Sequence, residues 1–138
     1  MLLLRKAIST MRPVMRLRQV LLAKLHGGSI TQCDVHYEGS CGLGVDLLEA
    51  SGIVPFEKVS VLNVSTGGRL ETYAIRAEKK GEISLNGAAA RSAAPGDKVI
   101  IMAYVAVDET EMAKHKSRIV ILDSNNQIRS SREEAPVL

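Results

Sequence analysis

Tryptophan is absent from this sequence and phenylalanine occurs once, at Phe56, so the 138-residue chain has no large aromatic core to build. Its interior must come from Val, Ile, Leu and Ala, which suits one compact β-rich domain of this length. Cysteine is scarce too. Cys33 and Cys41 are too few and too close for a disulfide framework, and their spacing to His26, His36 or His115 fits no zinc pattern. Both read as reduced, part-buried small hydrophobes, and no metal is expected. No apolar run approaches the roughly 20 residues of a membrane span. Met1 to Leu4 precede their charges, the wrong order for a secretory signal, while the Arg-rich, acid-free start shares its composition with a transit peptide. A soluble, cytoplasmic protein with no membrane association is expected.

Acidic residues are missing from the first 33 positions. Arg5, Lys6, Arg12, Arg16, Arg18 and Lys24 all precede Asp34, although the formal net charge is only +3. A basic arm of this kind can touch nucleic acid or anionic lipid, but the balanced body lacks the footprint of a dedicated nucleic-acid binder, and no such partner is expected. Residues 1–15, interrupted by Pro13, read as a basic extension. Met11 and Met15 offer alternative starts.

What is present is a series of short β patterns. Val20 to His26 is apolar except for Lys24, and Gly27-Gly28 then predicts a hairpin turn into a strand running to Tyr37. Val45 to Ala50 has helical composition, with Gly52 as its stop. Glu57 to Val64, a turn at 65–68 and Arg69 to Glu78 form a second hairpin. Glu82 to Leu85 is a short strand, and Lys98 to Val107 a long one whose centre, Val99 to Ala103, reads as buried on both faces. Asp108 caps a short helix to Lys114. Arg118 to Asp123 is the last strand, and residues 124–138 read as a polar, mobile tail. Seven β segments and two brief helices predict a mainly β, closed or nearly closed small barrel over residues 16–123.

Chemistry concentrates at His36-Tyr37-Glu38-Gly39-Ser40-Cys41. Gly-Ser is a common turn dipeptide. It is also a bond at which a serine hydroxyl can attack the preceding carbonyl carbon, converting an amide to an ester, and glycine tolerates the strained angles this needs. Elimination across that ester leaves a chain that begins with a ketone. Asn86-Gly87-Ala88-Ala89-Ala90 offers backbone N–H groups that can hold a carboxylate or oxyanion, or packs simply as a tight turn. Lys24 within an apolar strand is either functional or a snorkelling surface lysine. On an ideal strand Arg69 and Tyr73 share a face and Thr72 points to the other, so a bulge is needed for all three to serve one site.

Taken together, K-L-H at 24–26, H-Y-E-G-S-C at 36–41, N-V at 63–64, T-Y-A-I at 72–75, N-G-A-A-A at 86–90 and G-D-K-V-I-I at 96–101 resemble the pyruvoyl-dependent aspartate decarboxylase family, over about Val20 to Val107. The resemblance implies a double-psi β-barrel with short helices, assembled as a homotetramer with active sites between subunits. It implies self-cleavage between Gly39 and Ser40 assisted by Thr72, with Ser40 becoming a pyruvoyl group. The amine of L-aspartate then forms a Schiff base with that ketone, the sink for the electrons released as CO₂ leaves. Lys24 and Arg69 match the residues that hold the substrate carboxylates, and Tyr73 the proton donor. Asn86, Gly87, Ala88 and Ala89 line the pocket, with Tyr37 and His26 nearby. β-Alanine for pantothenate synthesis is the implied product, and some family members need a maturation partner. Leu62 departs from relatives that carry an aromatic there, and the arm before Met15 extends past the usual start.

Two other readings compete. One is a non-catalytic β-barrel binding module with a basic arm. The other is a pyruvoyl decarboxylase of another acidic amino acid such as glutamate. A binding module has no need of Lys24, Ser40, Arg69, Thr72 and Tyr73 together, whereas a decarboxylase needs them all.

Overall fold

In the computed structural model, which describes residues 14–137, the first strand is much longer than its sequence pattern predicts. Strand β1 (Leu17–Ser29) runs straight through Gly27 and Gly28. The expected hairpin there is not formed. A Cβ on Gly28 would lie 2.7 Å from the Ile83 side chain and 2.9 Å from Asn126 Oδ1, and Gly27 sits at φ 91°. The glycine pair absorbs a register shift where other segments of the chain press close, which is the other use of glycine in a strand.

The remaining elements are β2 (Gln32–Asp34), β3 (Ser40–Gly44), α1 (Val45–Ser51), β4 (Lys58–Asn63), β5 (Arg69–Ala77), β6 (Ile83–Asn86), β7 (Lys98–Asp108), β8 (Ser117–Leu122) and β9 (Ile128–Glu134). Two 3-10 turns, Gly87–Ser92 and Glu109–Lys114, complete the set. The nine strands form one sheet in the order β2-β6-β3-β5-β4-β7-β1-β8-β9. Parallel and antiparallel ladders mix: β3 runs parallel to β5 and antiparallel to β6. The fold is mainly β with short helices, the double-psi β-barrel that the resemblance implies.

Alternation decides which residues face the core. Val59 and Val61 of β4 point inward, as do Val99, Ile101 and Ala103 of β7. Ile100 and Met102 are half-buried on the opposite face, so the centre of β7 is not buried on both sides as its composition suggests. Helix α1 forms as expected. It buries Leu47 and Leu48 and ends at left-handed Gly52, whose N–H donates to the Leu48 carbonyl at 2.8 Å. Asp108 accepts from the Thr110 N–H at the start of the second 3-10 turn.

The segment after Asp123 departs from the expected mobile tail. Strand β9 pairs antiparallel with β8 from Ser117↔Glu134 to Leu122↔Ile128. Its side chains are exposed, so backbone hydrogen bonding rather than apolar burial places it, and its polar composition gives no sign of that. Buried Asn126 holds the turn before it, accepting from Ser29 N–H at 2.7 Å and donating to the Ser29 and Gly81 carbonyls at 2.9 and 2.7 Å. Of the basic extension expected over residues 1–15, residues 1–13 lie outside the described residues. Among the described residues, no helix is long and apolar enough to cross a membrane.

Candidate active site

The Gly39-Ser40 bond sits at the start of β3 in an unusual conformation. Gly39 has φ 21° and Ser40 φ 110°. A residue bearing a side chain is rarely found there, at a cost of order 1–3 kcal/mol, and such strain persists only where the surroundings impose it. Here they do. Ser40 is 1% exposed and pairs across the sheet with Asn86, whose Nδ2 donates to Ser40 Oγ at 3.2 Å. Gly87, at φ 65°, lets the preceding loop lie against the 3-10 turn, since a Cβ there would fall 2.7 Å from the Gly39 nitrogen and 3.0 Å from the Tyr37 carbonyl oxygen.

A gap in the sheet opens beside this bond. Pairing of β3 with β5 begins at Cys41↔Ala74, so Leu70 to Tyr73 have no β3 neighbour, and the 3-10 turn Gly87–Ser92 packs in that space. The result is a hollow of about 350 Å³ lined by Gly39, Ser40, Thr72, Tyr73, Asn86, Ala88 and Ala89, together with Leu70, Glu71 and Ser92. Thr72 and Tyr73 both reach it although the β4–β5 register from Lys58↔Tyr73 to Leu62↔Arg69 is unbroken. For Thr72 and Tyr73, though not for Arg69, the missing neighbour strand does what the sequence pattern assigns to a bulge. The Tyr73 hydroxyl lies 3.9 Å from where a Cβ on Gly39 would stand. Next to Ser40, burial pushes the Cys41 thiol up to about 12. It stays protonated within the apolar core, away from the hollow.

Lys24, His26 and Arg69 lie elsewhere, on the outer face of the sheet. Arg69, Leu62, Ile100 and His26 form one cross-strand row, and Glu71, Ser60, Met102 and Lys24 the next. Measured along the sheet, Lys24 lies three strands from β5 on the side away from Ser40, a path of about 14 Å at roughly 4.8 Å per strand. The His26 imidazole is held below its ordinary value by burial first, then by Lys24 and Lys98, and its Nδ1 is buried without a hydrogen-bond partner among the described residues. Tyr37 is exposed in the loop before the Gly39-Ser40 bond, and its side chain does not line the hollow.

Sequence reasoning did not single out Leu70, Glu71 or Ser92. Glu71 pairs with Lys58 at 2.9 Å and also lines the adjoining groove of about 510 Å³ on the outer face. An exposed acid in a strand carries no sequence signal of such a position. Among the described residues, no three or more His, Cys, Asp or Glu side chains come together as a metal site would need.

The aspartate decarboxylase family model matches residues 15–129. The chain is 47% identical over 121 residues to the aspartate 1-decarboxylase of Burkholderia lata, covering 86% of this chain and 94% of that protein. Aspartate 1-decarboxylases of Paraburkholderia phytofirmans and Burkholderia cenocepacia strain HI2424 are 48% and 46% identical with the same coverage.

Proposed function

The chain belongs to the aspartate decarboxylase family, and on that premise we propose that it converts L-aspartate to β-alanine and CO₂ for pantothenate and coenzyme A synthesis, using a pyruvoyl group made from Ser40. The observation that carries this reading is the strained, buried Gly39-Ser40 bond with its hydroxyl oriented by Asn86.

Ser40 Oγ adds to the Gly39 carbonyl carbon, and the Ser40 nitrogen leaves as a free amine, exchanging an amide for an ester. Thr72, in the same hollow, offers a hydroxyl to the oxyanion that develops. Loss of the Ser40 α proton then breaks the ester C–O bond, and Gly39 departs as a carboxylate. The remaining enamine takes up water and releases ammonia, leaving a ketone at the head of the longer chain. Relief of the backbone strain favours the first step.

The pyruvoyl ketone supplies a site for a primary amine and a sink for the electron pair freed as CO₂ leaves. The chain's own residues do the rest. Ala88 and Ala89 wall the hollow, and the Tyr73 phenol returns a proton to the substrate's α carbon. A phenol carries the hydroxyl proton that such a step needs. Lys24 and Arg69 take the two carboxylates, Arg69 through its planar fork, with His26 and Tyr37 close by.

Because Lys24 is so far from its own Ser40, this reading has a neighbouring copy complete the site, in a homotetramer with active sites between subunits. A maturation factor is an additional partner that some cleavages require, and the cytoplasm is the compartment that suits the pathway. Intact mass under denaturing conditions tests the proposal. Two fragments meeting at 39/40, the larger one reactive with a hydrazine, are expected. An uncut chain without a carbonyl, even after incubation with cell extract, would sink it.

A further inference from the structure

Three non-glycine residues among those described have positive φ: Ser40, Asn126 and Phe56. Ser40 is the scissile residue, and Asn126 is a type that tolerates this conformation and has three hydrogen bonds in return. Phe56, at φ 72°, has neither reason. It is the third residue of a turn closed by the Glu57 N–H on the Val54 carbonyl at 3.1 Å, with Pro55 second. Glycine or asparagine is the ordinary occupant of a third position with positive φ. The ring gains little from burial, being 80% exposed.

The turn is clasped to β5 from both sides, with Phe56 N–H donating to the Ala74 carbonyl at 2.8 Å and Ala74 N–H to the Glu57 carbonyl at 2.9 Å. This sets the Phe56 ring against Tyr73, centroids 5.9 Å apart and planes tilted by 59°. That lies within the favourable range for an edge-on aromatic pair. Tyr73 is itself 38% exposed, so few other contacts fix its ring on the open side.

We infer that Phe56 is a positioning residue, whose strained backbone is kept because its ring holds the Tyr73 phenol over the Gly39-Ser40 end of the hollow. The inference rests on the proton-donor reading of Tyr73. A short displacement of a reacting group is enough to slow a reaction by one or two orders of magnitude.

Phe56→Asn, which suits the turn, tests it. Cleavage at 39/40 should remain complete and the unfolding temperature should hold or rise. The kcat should fall about tenfold or more while KM stays within about twofold. Phe56→Tyr, which restores the ring, should recover kcat. In protein carrying 3-fluorotyrosine, the Tyr73 fluorine resonance, identified by its loss in Tyr73→Phe, should shift or broaden in Phe56→Asn and return in Phe56→Tyr. Unchanged kcat with an unchanged resonance in Phe56→Asn overturns the inference, as does a kcat loss that tracks a lowered unfolding temperature. If mature Tyr73→Phe turns over normally, the proton-donor reading fails, and the resonance alone decides whether Phe56 places the ring.

Discussion

The hollow beside Ser40 and the outer face around Lys24, to which the proposed reading gives the two halves of the chemistry, are built on opposite principles. Around Ser40 everything is fixed within one chain: a strained bond, a buried hydroxyl, an amide donor and a glycine that admits the loop. Around Lys24 the cations lie on a half-buried sheet face among Leu62, Ile100 and Met102, with the His26 Nδ1 lacking a partner among the described residues. Bond-making chemistry tolerates little positional freedom and is pre-formed. Charge recognition acts over longer reach, so a second copy can supply it.

The largest effect is expected at Ser40. Ser40→Ala is expected to give an uncut chain with no hydrazine-reactive carbonyl and turnover below detection, while the fold persists by thermal unfolding. Activity in that variant would detach the chemistry from the hollow. Lys24→Ala should mature normally but raise KM for aspartate about ten- to a hundredfold, since a charge-assisted hydrogen bond contributes about 1.5–3 kcal/mol and each 1.4 kcal/mol is tenfold. Oligomers assembled from a mixture of Lys24→Ala and Ser40→Ala chains should recover activity at roughly a quarter of their sites by random pairing around a symmetric ring. No recovery would mean that Lys24 does not serve a neighbour's Ser40.

Gly87→Ala comes next. The added Cβ, 2.7 Å from the Gly39 nitrogen, should slow cleavage about tenfold, with a left-handed penalty of about 1–2 kcal/mol on stability. Chains that do mature should keep kcat within about twofold, because the cut releases the loop. The smallest effect concerns His26, whose folded value lies below the ordinary 6.5. The unfolded chain therefore binds the proton more readily, and this contribution to stability is complete above about pH 6.5 and lost as pH falls toward the folded value. Unfolding temperatures between pH 7 and 5 should drop less in His26→Gln than in the parent protein.

How much of this was legible in the sequence depends on how local each cause is. Helix α1, the β4–β5 hairpin and the Asp108 cap follow from caps, alternation and turn residues lying within a few positions of one another. Gly39, Ser40, Thr72, Tyr73 and Asn86 stood out through short motifs, and one hollow gathers them. The Gly27-Gly28 pair misled because its cause is the approach of Ile83 and Asn126 from far along the chain. Strand β9 was hidden because its anchor is backbone pairing to β8. Phe56 gave no signal, since a lone aromatic after proline says nothing of the tyrosine it will meet.

If the chain is cut at 39/40 as proposed, the long pairing of β1 decides what becomes of the pieces. Everything up to Gly39 then belongs to a separate peptide, yet β1 still lies between β7 and β8, both in the other fragment. The peptide is an internal stave of the barrel and has no easy exit. If the barrel is melted, however, its two pieces must find each other again, so reassembly becomes a second-order process that weakens on dilution. The uncut precursor refolds as one molecule. Maturation thus makes the fold a thing that can be made once and not readily remade, and the lifetime of a heated sample is governed by how slowly that stave works loose.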